Sequence, residues 1–378
     1  MKLVLYANTD WYLYNFRHAL AVALRDAGHE VLLVSPPGDY GPRLRASGLR
    51  WEPLPMDRRS LDPLREAVLL WRLWRLFRRE RPALVHGFTI KCAVYGALVA
   101  RLAGVRARVG AVAGMGYVFT SHDRRARRLR LPVKLLMRLA FAGRGTRLVL
   151  QNPDDVSVFR EAGLVPEAKI RLIEGSGVDC GRFSPAESRT GGAHLRVLLP
   201  ARLLWDKGLA EYAEAARRLR AEGRRTVFLL AGTSDPGNPA AVDESTVAGW
   251  VDEGRIEWLG HVDDMPTLFR SVDVVVLPSY REGLPKGLIE AGACGLALVT
   301  TDVPGCREVV RHEADGLLVP PRDARALAEA IGRLDDDRAL LARLGRAARA
   351  KAVERFDERI VIQRTLEVYR ELLGGPPG

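Results

Sequence analysis

The 378-residue chain has little cysteine: four residues, Cys92, Cys180, Cys294 and Cys306, with no C-x-x-C pair and no histidine at zinc spacing. That excludes a disulfide framework and points to reduced thiols in a cytosolic protein. Long apolar runs are missing too. The longest stretch without Asp, Glu, Lys or Arg, Val109 to His122, is shorter than the ~18 apolar residues that a membrane span needs. At the start, Met1-Lys2-Leu-Val-Leu-Tyr-Ala-Asn8 reaches Asp10 too soon to form a signal-peptide core. Secreted and integral-membrane proteins are therefore not expected. Neither G-x-G-x-x-G after a strand nor G-x-x-x-x-G-K-[ST] occurs, which disfavours a dinucleotide dehydrogenase and a P-loop phosphotransferase. Gly175-Ser-Gly177-Val-Asp-Cys180 comes nearest, but Cys stands for the third glycine and Pro185 follows where a helix should.

Acidic residues are scarce in the first half. Residues 1–185 hold 31 Lys+Arg and 16 Asp+Glu, a net +15, and the remainder is net −3. Such asymmetry predicts an anionic partner on the first half, nucleic acid or a cytoplasmic leaflet. No zinc-finger spacing, RNP pattern or helix-turn-helix supports nucleic acid. At 47% hydrophobic and 28% charged, the chain is globular, and its length suggests two or three domains.

Short apolar runs alternate with helical patterns. Leu3–Ala7, Glu30–Ser35, Ala83–Phe88, Arg108–Ala113, Arg147–Gln151 and Ile170–Ile173 read as strands, with helices such as Phe16–Ala27 and Leu64–Glu80 between them. In the latter, Trp71, Trp74 and Phe77 read as core contacts. After a Gly/Ser/Pro-rich loop (181–192) the rhythm restarts with Arg196–Ala201, Thr226–Ala231, Ile256–Leu259, Val274–Pro278, Ala297–Thr301 and Gly316–Val319. The expectation is two α/β parallel-sheet domains, 1–185 and 193–355, with a terminal helix 356–373 that can pack back on the first. Open sheets place ligands at the carboxyl ends of their strands, so two facing sheets would enclose a cleft.

One loop concentrates chemistry: Ser279-Tyr-Arg-Glu282-Gly283-Leu284-Pro285-Lys286-Gly-Leu-Ile-Glu290 follows an apolar strand. A turn at Gly283 and Pro285, then a helix from Lys286, lets the two carboxylates reach opposite ends of one polar ligand and turns amide donors toward it. By spacing alone, an exposed helix start with capping acids fits equally well. The neighbouring residues favour the ligand. Glu-x7-Glu, preceded by Leu-Pro-Ser and followed by Ala-x-Ala-Cys-Gly, resembles the nucleotide-sugar site of the family 4 retaining glycosyltransferases with the GT-B fold. So do Arg202-Leu-Leu-Trp-Asp-Lys207-Gly208, Trp258-Leu-Gly260-His261, Thr301-Asp-Val-Pro-Gly305-Cys-Arg-Glu308 and Asp315-Gly-Leu-Leu-Val-Pro320-Pro-Arg-Asp323. The motifs occur in the family's order across most of residues 196–330.

The resemblance implies a GT-B fold, two Rossmann-like domains and a nucleotide diphosphate sugar donor, UDP favoured. Arg202, Lys207 and Glu282 would be catalytic. Arg202 can meet phosphate oxygens bidentately and Lys207 as a point charge, which stabilises a departing diphosphate without a metal. Glu290 would hold the ribose hydroxyls and Glu282 the sugar, with Gly283, Leu284, Lys286, Gly260 and His261 completing the donor site. No cofactor or metal is expected: Asp335-Asp-Asp337 and Asp263-Asp264 read as helix caps.

In the first half, Asp10-Trp-Tyr-Leu-Tyr-Asn15-Phe-Arg17, His86-Gly-Phe-Thr-Ile-Lys91 and Gly114-Met-Gly116-Tyr-Val-Phe119 resemble the branch that builds capsular, O-antigen and lipid-linked oligosaccharides. That branch implies a lipid-linked saccharide acceptor, with Asp10, Asn15, Arg17, His86 and Lys91 as candidate contacts. Many family members have Gly-Gly where Trp11-Tyr-Leu-Tyr stands, and a histidine where Gly114-Met-Gly116 stands. The segment His122–Phe141 sets Arg124, Arg125, Arg127, Arg128, Arg130, Lys134 and Arg138 among Leu129, Leu131, Val133, Leu135, Leu136, Leu139 and Phe141. It reads as a basic amphipathic helix able to lie on anionic lipid. The expectation is a hexosyltransferase, cytoplasmic and peripheral on the inner face of the cell membrane. A GT-B nucleotide-sugar epimerase and a non-catalytic assembly scaffold are the alternatives.

Overall fold

The computed structural model describes residues 1–57, 60, 62–112, 124–187, 192 and 194–374. The chain divides into two compact units, Met1–Ser176 with Arg359–Gly378, and Gly177–Glu358. Each contains one all-parallel sheet.

In the first unit the strands are β1 (Lys2–Tyr6), β2 (Glu30–Ser35), β3 (Arg50–Pro53), β4 (Leu84–Phe88), β5 (Ala107–Val112), β6 (Thr146–Leu150) and β7 (Ile170–Leu172), in the order β3-β2-β1-β4-β5-β6-β7. Strand β3, Arg-Trp-Glu-Pro, was not predicted. It lies at the sheet edge, where charged ends and a proline that cannot donate are tolerated and no apolar run marks the strand. The sheet is apolar on both faces because helices cover both, as parallel sheets require. One face buries Val4, Tyr6 and Val85 under helices Pro63–Glu80 and Ile90–Leu102, and Leu148 and Leu150 under helix Arg124–Ala140. The other buries Leu3, Leu5, Val109 and Val149 with Leu20 and Leu24 of helix His18–Asp26. The terminal helix Glu358–Leu373 adds Val361, Val368 and Tyr369 to that second face.

The second unit runs β8 (Arg196–Pro200), β9 (Val227–Ala231), β10 (Glu257–Gly260), β11 (Val274–Leu277), β12 (Ala297–Thr301) and β13 (Leu317–Val319), in the order β10-β9-β8-β11-β12-β13. Its helices begin on side-chain caps written in the sequence. Asp264 accepts from Thr267 N, Asp323 from Ala326 N and Asp337 from Leu340 N, each satisfying a first-turn donor.

The unit boundary falls between Ser176 and Gly177, so residues 177–185 go with the second unit rather than the first. Val178 bridges Asp357 through Val178 N to Phe356 O (2.9 Å) and Glu358 N to Val178 O (3.0 Å). Gly177 has φ +77°, and a Cβ there would sit 2.4 Å from the Cα of Glu358. Only glycine lets the two chain segments pass this closely.

Among the described residues, no helix is long and apolar enough to cross a membrane. Gly114–Phe119 and the side chains of Arg124, Arg125, Arg127, Arg128 and Leu129 lie outside what is described.

Candidate active site

In the second unit the strand order runs one way from β8 through β9 and the other way through β11. Open parallel sheets bind ligands outside the carboxyl ends of the strands that flank such a reversal. Two loops lie there: Ala201–Gly208 after β8, and Pro278–Pro285 after β11.

Their backbones interlock. Tyr280 N donates to Asp206 O (2.9 Å). Gly208, at φ +73°, lies so close to Pro278 that a Cβ would come within 2.2 Å of the Pro278 carbonyl oxygen. Through this contact Lys207 Nζ meets Glu282 Oε1 at 2.5 Å, with side chains 20% and 11% exposed. Ser279 Oγ donates to the same carboxylate oxygen at 2.7 Å, and Thr301 Oγ1 donates to the Ser279 carbonyl. From below, Glu282 N donates to Pro304 O (3.3 Å), and Gly305, at φ +82°, leaves room for the carbonyls of Glu282 and Gly283. Glu282 is therefore held by three strand ends before any ligand arrives.

Arg202 stands earlier on the same β8 loop. Its Nη1 meets Asp235 Oδ2 at 2.7 Å, while the side chain stays 56% exposed. The loop after β9 carries Asp235 and docks on the Arg202 loop through Leu203 N to Thr233 O and Trp205 N to Ala240 O. Gly232 fits against the Ala201 carbonyl, where a Cβ would clash at 1.9 Å, and its N–H donates to Gly260 O at 2.7 Å. Gly260 thus joins the site through Gly232. His261 follows edge strand β10, exposed and paired with Asp263 at 3.1 Å.

Helix Lys286–Ala293 starts directly after the Glu282 loop, as the spacing predicted. Glu290 is in its second turn, 15% exposed, with Lys286 Nζ 3.6 Å away. Burial raises its pKa above the ordinary carboxylate value, while Lys286 and Arg182 pull it back. Cys306, beneath the site, is fully buried, and burial pushes its pKa up to about 12, with Glu282 adding to the rise.

The first unit repeats the topology, reversing between β1 and β4. Its loops are aromatic. Asp10 is buried and accepts from Trp11 N, Tyr40 N and Gly41 N, each at 2.8 Å, so it staples two loops together instead of facing a ligand. Asn15 is half-buried on a π-helical turn, Leu13–Arg17, and donates to Trp11 O. Arg17 is buried, stacked 4.4 Å over Phe88, and donates to Tyr12 Oη at 3.0 Å. His86 is 2% exposed, and its Nδ1 lies 2.7 Å from Tyr369 Oη on the terminal helix. Burial holds His86 well below its usual pKa, and nearby Arg17 adds to that. Lys91 bonds Glu66 Oε1 and Asp57 O at 2.8 Å and Ser60 O at 3.3 Å, an internal tie.

Trp71 and Trp74 contradict their reading as core residues. They are 53% and 39% exposed, and only Phe77 of the three is buried. The helix carries two apolar stripes, and the one buried is Leu69, Leu73, Leu76 and Phe77.

Asp235, Ser279 and Tyr369 were missed. Asp235 carries no signal beyond an ordinary polar loop, whereas Ser279 stands in the Leu-Pro-Ser motif without its role being legible there. Tyr369 stands 283 residues from His86. Among the described residues, no cluster of His, Cys, Asp or Glu has the makings of a metal site.

Known proteins fit the same picture. Residues 194–337 match the family model "Glycosyl transferases group 1", and residues 15–175 match "Glycosyl transferase 4-like domain". The chain is 29% identical over 372 residues to the N,N'-diacetylbacillosaminyl-diphospho-undecaprenol alpha-1,3-N-acetylgalactosaminyltransferase of Campylobacter jejuni, covering 96% of each. It is 28% identical over 294 residues to the UDP-Gal:alpha-D-GlcNAc-diphosphoundecaprenol alpha-1,3-galactosyltransferase of Escherichia coli, covering 75% of this chain and 74% of that one. Among solved structures, Anabaena HepE in complex with UDP superposes with a TM-score of 0.78 at 21% identity, over 98% of this chain and 100% of that one. WaaG, a glycosyltransferase involved in lipopolysaccharide biosynthesis, superposes with a TM-score of 0.73 at 16% identity, over 97% and 99%. With both family models matched in sequence order, and relatives of that kind along its whole length, the chain belongs to the GT-B glycosyltransferases of the group 1 and 4-like type.

Proposed function

We propose that this glycosyltransferase moves a hexose or N-acetylhexosamine from a UDP-sugar to a lipid-linked saccharide, retaining the anomeric configuration and using no metal. One observation carries the reading: Lys207 and Glu282 are paired at the β8/β11 reversal, and Arg202, on the same β8 loop, is held by Asp235 of the next loop, cations and carboxylates on neighbouring strand ends.

As transfer proceeds, the bond from the anomeric carbon to the diphosphate oxygen breaks, and its electron pair goes to the diphosphate. The acceptor oxygen bonds to the anomeric carbon on the face just vacated, and its proton passes to the departing phosphate. Lys207 and Arg202 stabilise that growing negative charge, normally the largest catalytic contribution. Because Asp235 and Glu282 hold the two cations in place beforehand, little reorganisation remains for the reaction step. Glu282 then orients sugar hydroxyls, and buried Glu290 accepts from the ribose.

UDP is favoured by the E. coli relative's printed donor and by UDP in the HepE structure, and the lipid-linked acceptor by the two diphospho-undecaprenol relatives. The basic first unit suits an acceptor at the anionic inner leaflet. A thermal-shift screen of nucleotide sugars tests the donor. UDP-sugars at a hundredfold excess over Kd should stabilise the protein by ~2.7 kcal/mol. An equal shift with GDP- or ADP-sugars and none with UDP-sugars would discard UDP. The anomeric proton coupling of the product tests retention.

A further inference from the structure

Tyr280 stands between Ser279 and Glu282 on the β11 loop, half-buried, and it reaches across to the β8 side twice. Its N–H donates to Asp206 O at 2.9 Å. Its hydroxyl lies 2.8 and 3.0 Å from the two carboxylate oxygens of Glu211, so one proton is shared between them. Glu211 is in the first turn of helix Leu209–Ala221, which begins where the β8 loop ends. Asp206 and Glu211 flank Lys207 in the chain, one residue before it and four after. Tyr280 therefore brackets the lysine from a different strand end, with its backbone on one side and its side chain on the other. Burial and Glu211 push the pKa of the Tyr280 hydroxyl up to about 12, so at neutral pH it remains a donor.

A further contact closes the bracket from outside. The guanidinium of Arg322 lies 4.1 Å over the Tyr280 ring. Arg322 is on the loop after β13, a third strand end, and holds φ +62°. A residue with a Cβ is strained in this left-handed region, and such strain persists only where the surroundings hold it. Glycine takes this backbone without strain but has nothing to lay over a ring. Arg322 is otherwise exposed, with no carboxylate partner among the described residues, so the ring is what its charge meets.

We propose that Tyr280, pressed into place by Arg322, is a positioning residue that sets where the Lys207 ammonium stands against the diphosphate of the donor. The inference rests on the reading above, that Lys207 meets this diphosphate. A lysine stem is long and flexible, and its charge serves a leaving group best when its place is fixed before negative charge develops. Glu282 restrains the head of Lys207, and Tyr280 restrains the chain on both sides of it.

The test titrates the full chain with UDP and with uridine. Uridine lacks the diphosphate, so a residue that acts through Lys207 changes one affinity and leaves the other alone. Tyr280→Phe keeps the ring under Arg322 and loses the Glu211 bond. It should raise the UDP Kd about tenfold, an ordinary coupling between neighbouring side chains, with the uridine Kd unchanged. Arg322→Gly should raise the UDP Kd about threefold, the size of an exposed cation–π contact. Its melting temperature should hold, because glycine accepts the left-handed backbone. In a Lys207→Ala background neither substitution should weaken UDP further. An unchanged UDP Kd in Tyr280→Phe overturns the proposal. So do equal losses for UDP and uridine, or a full second loss on top of Lys207→Ala, either of which would leave Tyr280 a structural residue alone. Failure of the functional reading shows separately, with Tyr280 intact: Lys207→Ala would bind UDP as the wild type does, or the wild type would bind UDP no better than uridine. Either result takes the proposal down with that reading.

Discussion

The two units share one topology and use it differently. Each has a parallel sheet whose order reverses beside a central strand, β1 in the first and β8 in the second. In the second unit the loops at the reversal present Arg202, Lys207 and Glu282, held by Asp235, Ser279 and close glycine contacts. In the first they present Tyr12, Phe16, Arg17 and Phe88, and the candidate polar groups Asp10, His86 and Lys91 are absorbed by internal bonds. By sequence count the first unit carries net +16 and the second −4. The same scaffold carries both kinds of loop because only the loops and outer helix faces change while the sheet stays the same.

The sharpest way to break this contrast is Lys207→Ala. If the second unit's charges act on the leaving group, turnover should fall by about 10²–10³, equivalent to ~2.7–4 kcal/mol, with the melting temperature largely retained. Turnover within threefold of wild type would remove Lys207 from the chemistry. Arg202→Ala should follow in the same direction with a smaller loss, because its exposed guanidinium is already shared with solvent.

Glu290→Gln comes next. The folded-state pKa of Glu290 is raised, so the buried charged form weakens the fold above that pKa. The amide should stabilise the protein at neutral pH yet weaken UDP binding about tenfold, since one charge-assisted hydrogen bond to the ribose is lost. Tighter UDP binding in the variant would put the ribose elsewhere.

In the first unit the expected effect is on stability. His86 is buried neutral with its pKa below 6.5, so the unfolded chain binds the extra proton, and stability falls as pH drops below 6.5. One such group contributes a slope of at most ~1.4 kcal/mol per pH unit. His86→Leu should flatten the melting temperature between pH 6.5 and 5. If the slope survives and transfer is abolished instead, His86 acts on substrate and the contrast between the units weakens. The smallest expected effect is that of chelation: transfer should persist in excess EDTA, and restoration by Mg²⁺ or Mn²⁺ after a loss would show a metal at work in the second unit.

Much of the fold could be read from the sequence because it repeats a simple physical pattern. Val274–Leu277 and Ala297–Thr301 are continuous apolar runs because helices cover both faces of their sheet. Helix starts at Pro63, Met265 and Arg338 follow Asp caps. The second unit's loop was legible because close backbone approach at Gly208 and Gly305 demands glycine and leaves a mark in the chain. Asp235 left none, because an ordinary polar residue meets the same need at many positions.

The sequence by itself determined two α/β units and a basic first half, since those follow from local periodicity and composition; the charged loop pair in the second was legible only through its resemblance to a family's motifs. Only the tertiary structure decided which stripe of helix Pro63–Glu80 faces outward. Leu69, Leu73, Leu76 and Phe77 repeat as regularly as Leu64, Val68 and Trp71, and periodicity cannot choose between two apolar faces. The choice falls to volume and contact: the stripe of three leucines and Phe77 packs in one cluster with Cys92 and Val99, and the bulkier indoles are left on the surface under their arginines.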